Sequence, residues 1–201
     1  MSPFGTLTLR PLDPFTDAQV IHPWVTHPRS VFWPMWGARL HEVERAYMHV
    51  AAEEHHDAFV GLRDGEPAFL VERHDPRHAE PAEPAGPAGP TGLYEPEPGD
   101  VGLHFLVAPD ADRDPGFGQA ALTTVLEHLF ADPRTVRVVV EADAADHRAR
   151  ELHEVVGFVA AYEVERPEQH SVLSLCTRER FEAAAVRRAV ASRPALTAAR
   201  P

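Results

Sequence analysis

"GLHFLVAPDADRDPGFGQAAL", residues 102–122, runs from an apolar stretch that fits a buried strand, through a loop with two glycines one residue apart, into the apolar start of a helix. Strand alternation puts Val101, Leu103, Phe105 and Val107 on one face and Gly102, His104, Leu106 and Ala108 on the other, so His104 has a small neighbour in Gly102. In the loop, Arg113, Gly116 and Gly118 form R-x-x-G-x-G. Glycines let backbone N–H groups approach an anion closely, and the positive end of the following helix dipole favours a phosphate or pyrophosphate there. The same glycines also serve a plain tight turn. A P-loop would need Gly-Lys-Ser/Thr at the helix start, where this chain has Gly118-Gln119-Ala120. A dinucleotide fingerprint beginning at Gly116 would place Ala121 at its third glycine and leave Arg113 and the upstream hairpin without a role.

Downstream, "QAALTTVLEHLFA" carries Leu122, Val125, Leu126, Leu129 and Phe130 at helical spacing, and "TVRVVVEAD" is a second buried strand ending at Asp143. "DHRARELHEVVGF" predicts a helix stopped by Gly157. Strands "FVAAYEV" and "SVLSLCT" follow around a turn with Pro167, then a helix over 178–192 and a frayed tail at 193–201. Upstream, "TLTLRPL" reads as a strand, and "HPWVTHPRSVFWPMW", residues 22–36, as short helical turns or loops carrying Trp24, Trp33 and Trp36 among prolines. "ARLHEVERAYMHVAAEE" restores helical spacing with Leu40, Val43, Tyr47 and Val50 on one stripe, and Asp64-Gly65 turns a hairpin within residues 57–75. Residues 75–99 are rich in Pro, Ala and Gly and predict a flexible insertion, a tolerated loop or a flap over a site. This order indicates an α/β or α+β sheet with helices on its faces, in one domain spanning 1–192.

Among 201 residues the formal charge of -12 argues against a nucleic-acid partner, which would need clustered basic residues. It suits a cationic small molecule. The single cysteine, Cys176, excludes an internal disulfide and sits in an apolar run, as a core residue does. The N-terminus lacks an apolar signal core and no run approaches the roughly 20 residues that span a bilayer, so the expectation is a cytoplasmic protein without membrane contact. "HEVER" and "HEVVG" each lack the second histidine of H-E-x-x-H, and "EEHHD" ends a helix among polar residues, so no bound metal is expected.

The order hairpin, strand, R-x-x-G-x-G loop, helix, strand, helix ending in Gly-Phe, strand resembles the GNAT superfamily of acyl-CoA-dependent N-acyltransferases. "HPWVTHPRSVFWPMW", "GLHFLV", "VVVEAD" and "GFVAAYEVERPEQHSVL" resemble, in that order, its hydroxamate siderophore branch, which acylates N-hydroxylated lysine, ornithine or diamines. The resemblance implies a GNAT-like mixed, mostly antiparallel central sheet flanked by helices. It implies that Leu106, Val107, Arg113, Gly116, Phe117, Gly118 and Gln119 hold acyl-CoA, acetyl-CoA or succinyl-CoA. It assigns His104 and Asp143 to catalysis, the carboxylate fixing the imidazole tautomer, and sets His22, Trp33 and Trp36 around the acceptor. Arg29 and Arg39 are the candidates for the free carboxylate of a succinyl donor. Asp146 and His153 stand where many GNAT enzymes carry Asn and a Tyr that protonates the departing thiolate; His153 is a substitute acid, with bulk water the other source. Gln169 replaces the lysine usual in that branch.

The implied function is acylation of an N-hydroxylated diamine, such as N-hydroxycadaverine, to a hydroxamate by a monomer or homodimer. The alternatives are an N6-hydroxylysine acetyltransferase, a GNAT acting on an ordinary amine (an antibiotic or a protein N-terminus), and a non-catalytic acyl-CoA-binding regulator.

Overall fold

The computed structural model describes residues 3–30, 33, 35–78, 94–166 and 169–191. Most of the expected insertion (79–93), Pro167 and the expected tail at 193–201 lie outside the described residues. Seven strands form one sheet: β1 (Leu7–Pro11), β2 (His56–Arg63), β3 (Glu66–His74), β4 (Asp100–Val107), β5 (Arg137–Asp143), β6 (Val159–Arg166) and β7 (Gln169–Thr177). Their spatial order is β1-β2-β3-β4-β5-β7-β6. Every pairing is antiparallel except that of β4 with β5. The mixed, mostly antiparallel sheet expected from the resemblance is therefore present. β1 is an edge strand, which is why Pro11, with no N–H to offer a neighbour, is tolerated at its end.

The hairpin turns at Asp64-Gly65, both residues with positive φ (51° and 91°), as a two-residue hairpin loop requires. Among the described residues five α-helices cover the sheet: α1 (Pro14–Val25), α2 (Leu40–Val50), α3 (Phe117–Ala131), α4 (His147–Val156) and α5 (Arg178–Ala191). Helix α1 runs to Val25, which corrects the reading of residues 22–25 as loop or short turn. Asp13 caps it by accepting from the Phe15 N–H, Pro14 stands in the first turn, whose N–H groups have no intrahelical partner, and Pro23 interrupts the ladder only in the last turn. The other described residues of that segment are bends and turns as expected, with a 3-10 helix at Pro28–Ser30.

Alternation in β4 divides the molecule as expected. On one face Leu103, with Val101, Phe105 and Val107, joins Val138 and Val140 of β5 and the apolar stripe of α3 in the larger core, closed by Val156 of α4 and Phe181 of α5. On the other face Leu106 and Ala108 join Ile21, Trp24 and Val25 of α1, Val43 and Tyr47 of α2, and Val60 and Leu70 of the hairpin. Helix α3 is the crossover that any parallel pair needs, and its Leu122, Val125 and Leu126 are fully buried. Each large apolar side chain so buried contributes roughly 1.5–3 kcal/mol. Leu126→Ala should therefore lower the unfolding free energy by roughly 2–5 kcal/mol in urea titration, whereas Val186→Ala, at a 64% exposed position of α5, should change it by less than about 0.5 kcal/mol.

Candidate active site

The parallel pair β4 and β5 stays in register only at Asp100↔Arg137, Val101↔Val138 and Gly102↔Val139. Its paired end is clamped by Asp100, a buried carboxylate that accepts from Arg137 Nε (2.6 Å) and Nη2 (2.7 Å), the Tyr94 hydroxyl (2.5 Å) and the Glu97 N–H (2.9 Å). Beyond Gly102 the two strands part, while β4 stays paired to β3 as far as Val107. Leu106 and Val107 consequently keep one backbone edge on β3 and turn the other toward the gap. A cavity of about 90 Å³ opens at this parting, lined by His74, Pro76, Tyr94, Gly102, Leu103, His104, Val139, Glu141 and Leu173.

His104 reaches the cavity, and its Nδ1 lies 3.5 Å from Oε2 of Glu72, its direct cross-strand partner on β3. Oε1 of Glu72 accepts from the Tyr47 hydroxyl at 2.5 Å, and Nε2 of His56 stands 3.4 Å from Oε2 without the alignment of a hydrogen bond. Burial alone would push the Glu72 carboxyl up; the imidazoles of His104 and His56 and the Tyr47 hydroxyl reverse that and hold it well below the ordinary carboxylate range. Burial and the neighbouring His104 and His56 push the His74 imidazole down to about 4. The space at Gly102 belongs to His74 and not to His104, because a Cβ at Gly102 would lie 2.2 Å from His74 Nε2.

Here the expected His104–Asp143 pair is corrected. Alternation along β5 puts Val139, Glu141 and Asp143 on the same sheet face as His104, but the Asp143 carboxylate accepts from the Ala145 N–H (2.8 Å) and the carboxylate at His104 is Glu72. Trp33 is buried with its ring 6.0 Å from that of His104 and nearly perpendicular to it. His22 and Trp36 are not gathered there. His22 Nε2 is 3.0 Å from the Ala38 carbonyl, and Trp36 is 53% exposed. Arg29 contacts Asp112 at 3.4 Å and Arg39 is exposed at the start of α2, so neither lines the cavity.

The glycine loop ends at Gly116, which takes φ +84° in the left-handed region and begins α3 with no side-chain cap. The Phe117 N–H closes a turn onto the Asp114 carbonyl (3.1 Å) and the Phe117 ring is fully buried, so Phe117 offers an anion neither group. The Gly118 and Gln119 N–H groups have no acceptor among the described residues, as the first turn of a helix leaves them. Nearby acids are neutralised: Arg148 grips Asp112 at 2.6 Å through both terminal nitrogens, and Arg63 pairs with Asp114. The residues present thus fit a phosphate group at the α3 N-terminus. Arg113 places its backbone in a 3-10 turn, and its side chain lies outside the described set, as does that of Gln169.

Asp146 caps α4 through the Ala149 N–H (2.9 Å). His153 does not suit the role of thiolate acid: burial pushes its imidazole down to about 4, so it is neutral near pH 7, and its Nδ1 has no partner. The buried Cys176 thiol is pushed up to about 12, consistent with a core residue. His55, Asp75 and His78 bring donor atoms within 4.8 Å of one another. Their two rings, however, stack at 3.9 Å and 23°, so the in-plane lone pairs run side by side, and Arg77 occupies both oxygens of Asp75. No helix among the described residues is long and apolar enough to cross a membrane.

The parallel pair thus opens beside an imidazole, and α3 begins without a side-chain cap. Residues 13–166 match the acetyltransferase (GNAT) domain family, and the chain belongs to it. It is 24% identical over 174 residues to an aminoglycoside N(6')-acetyltransferase type 1 of Klebsiella pneumoniae, covering 83% of this chain and 81% of that one. It is 27% identical over 178 residues to an N(6)-hydroxylysine O-acetyltransferase of Escherichia coli, covering 87% of this chain and 53% of that enzyme. A lysine N-acyltransferase, MbtK, of Mycobacterium sp. (strain MCS) is 28% identical over 158 residues, 74% of this chain and 58% of its own. Among solved structures, aminoglycoside acetyltransferase AAC(6')-Ib in complex with coenzyme A superimposes with a TM-score of 0.73 at 23% identity, over 89% of this chain and 98% of that one. The protein is thus an acyltransferase of the GNAT type, and its relatives divide between aminoglycoside and lysine-derived acceptors at similar identity.

One prediction concerns stability. His153 is neutral in the fold and has an ordinary value near 6.5 when unfolded, so the unfolded chain takes up the extra proton as pH falls from about 6.5 to about 4. Its contribution is present at neutral pH and shrinks through that window by up to about 3 kcal/mol, with His74 acting in the same direction. Urea midpoints of the wild type should fall between pH 7.5 and pH 4.5, and His153→Phe should fall less; equal slopes in both proteins would show that His153 titrates normally.

Proposed function

We propose that this enzyme transfers an acyl group from acyl-CoA to the nitrogen of an N-hydroxylated diamine, forming a hydroxamate of the siderophore type. The observation that carries the choice of acceptor is the lining of the cavity at the strand gap. Among the described residues it is lined by two imidazoles, His74 and His104, one carboxylate, Glu141, the Tyr94 side chain and apolar walls, with no guanidinium. The chain contains no lysine at all, and residues 79–93 contain no arginine. A hydroxylated diamine offers a slender chain with an ammonium at its far end, which Glu141 on the His104 face would attract. Hydroxylysine would bring an α-carboxylate toward Glu141, and among the described residues no guanidinium lines the cavity to receive it.

Acyl-CoA, when bound, supplies the thioester carbonyl. The Gly118 and Gln119 N–H groups at the α3 N-terminus hold its pyrophosphate, and the open edge of β4 at Leu106 and Val107 holds its extended arm. Trp33 walls the acceptor at His104. A hydroxylamine nitrogen is already neutral near pH 7, so the base need only remove its proton as the N–C bond forms and the C–S bond breaks. His104 Nε2, the ring nitrogen turned away from Glu72, takes that proton. With His153 buried and neutral, the thiolate takes its proton from solvent.

In a thiol-release assay with acetyl- and succinyl-CoA, N-hydroxycadaverine should outpace N6-hydroxylysine, cadaverine and kanamycin in kcat/KM. Faster turnover of kanamycin would overturn the acceptor assignment in favour of the aminoglycoside reading. His104→Ala should lower kcat about 100-fold or more with little change in acyl-CoA KM. Gly116→Val, forced into the left-handed region, should instead raise acyl-CoA KM.

A further inference from the structure

Glu72 is a charged group where an apolar one would be less costly. It lies in the buried run of the central strand β3 and is 5% exposed. A carboxylate taken out of water costs several kcal/mol unless its partners compensate, and apolar replacements of similar volume are often at least as stable. Its partners converge from three other elements: Tyr47 from α2, His56 from β2 and His104 from β4. Tyr47 occupies Oε1 at 2.5 Å, which leaves Oε2 turned toward the two imidazoles. Glu53 stands on the far side of His56, 3.6 Å from its Nδ1, and the His74 ring packs 5.4 Å from that of His104.

We propose that Glu72 is the positioning residue of the acyl-transfer site: its carboxylate holds His104 through Nδ1–H, so that the Nε2 lone pair faces the acceptor, and its charge stabilises the imidazolium that forms as the proton is taken. This rests on His104 being the base. The carboxylate touches no substrate and acts through the ring. The cross-strand register puts Glu72 and His104 directly opposite each other, so backbone hydrogen bonds of the sheet, and not a mobile loop, set their separation. The 3.5 Å contact is long for a charge-assisted bond, as catalytic contacts often are before substrates bind. His74 supports the arrangement by staying neutral above about pH 4, which keeps a second cation away from the nascent imidazolium.

The test combines spectroscopy with kinetics on the full chain. In protein labelled with 15N-histidine at pH 8, the His104 signals, identified by their loss in His104→Gln, should report the Nδ1–H tautomer. In Glu72→Leu they should revert to the Nε2–H form. With the best acceptor found, Glu72→Gln should lower kcat about tenfold or more and leave acyl-CoA KM within about twofold. An Nε2–H tautomer in the wild type, or a Glu72→Gln enzyme with unchanged kcat, would overturn the proposal. Should either variant fail to fold, the wild-type tautomer decides by itself. Should no hydroxylamine be turned over, the function proposed above fails, while the tautomer still decides whether Glu72 orients the ring.

Discussion

The parallel pairing of β4 with β5 is fastened at one end and absent at the other, and the rest of the site depends on that asymmetry. Asp100 and Arg137 meet at the first residues of the two strands in a bidentate, largely buried contact that Tyr94 and Glu97 complete. Three register pairs later the hydrogen bonding ends. Continuous pairing would bury the β4 edge at Leu106 and Val107 and leave no cavity beside His104. The crossover helix makes the arrangement stable, because α3 packs its apolar stripe across the core face and holds strands that their own hydrogen bonds do not.

The two faces of the opened sheet then divide the labour. The face under α3, α4 and α5 is apolar and carries stability. The opposite face, covered by α1 and α2 only as far as β4, carries the ionisable groups: Glu72 with its imidazoles on one side of the gap, Glu141 and Asp143 on the other. Tyr47 belongs to both systems, since its ring is in the core of that face while its hydroxyl ends on Glu72. Buried carboxylates of this kind are supported only when nearly every lone pair finds a partner.

Local pattern was sufficient for a large part of this. The glycine loop, the stripe of α3, the Asp64-Gly65 turn and the stop at Gly157 each depend on residues within a few positions of one another, where propensity and periodicity act directly. The misreading of residues 22–25 arose because prolines 23, 28 and 34 look like breakers when counted; Pro23 removes one helical N–H donor, but in the last turn of α1 there is no further turn for it to disrupt. The Phe117 N–H, the first of α3, is already committed to a turn onto the Asp114 carbonyl, which its place in the glycine loop did not disclose.

Sequence by itself determined the order of elements from α2 onward, the two-faced alternation of β4 and the position of His104 on the face opposite the main core, because these follow from side-chain period and turn chemistry. The partner of that histidine was decided only in three dimensions. The register of β2 on β3 is set by a two-residue turn, but β3 and β4 are joined through more than twenty residues, so nothing local specifies that Glu72 falls opposite His104. Asp143, nearer in the expected topology, follows β5 away from β4 once the strands part, and its carboxylate turns to the backbone of its own loop. A carboxylate in an otherwise buried strand was the one local signal, and it acquired a meaning only when sheet pairing put an imidazole against it.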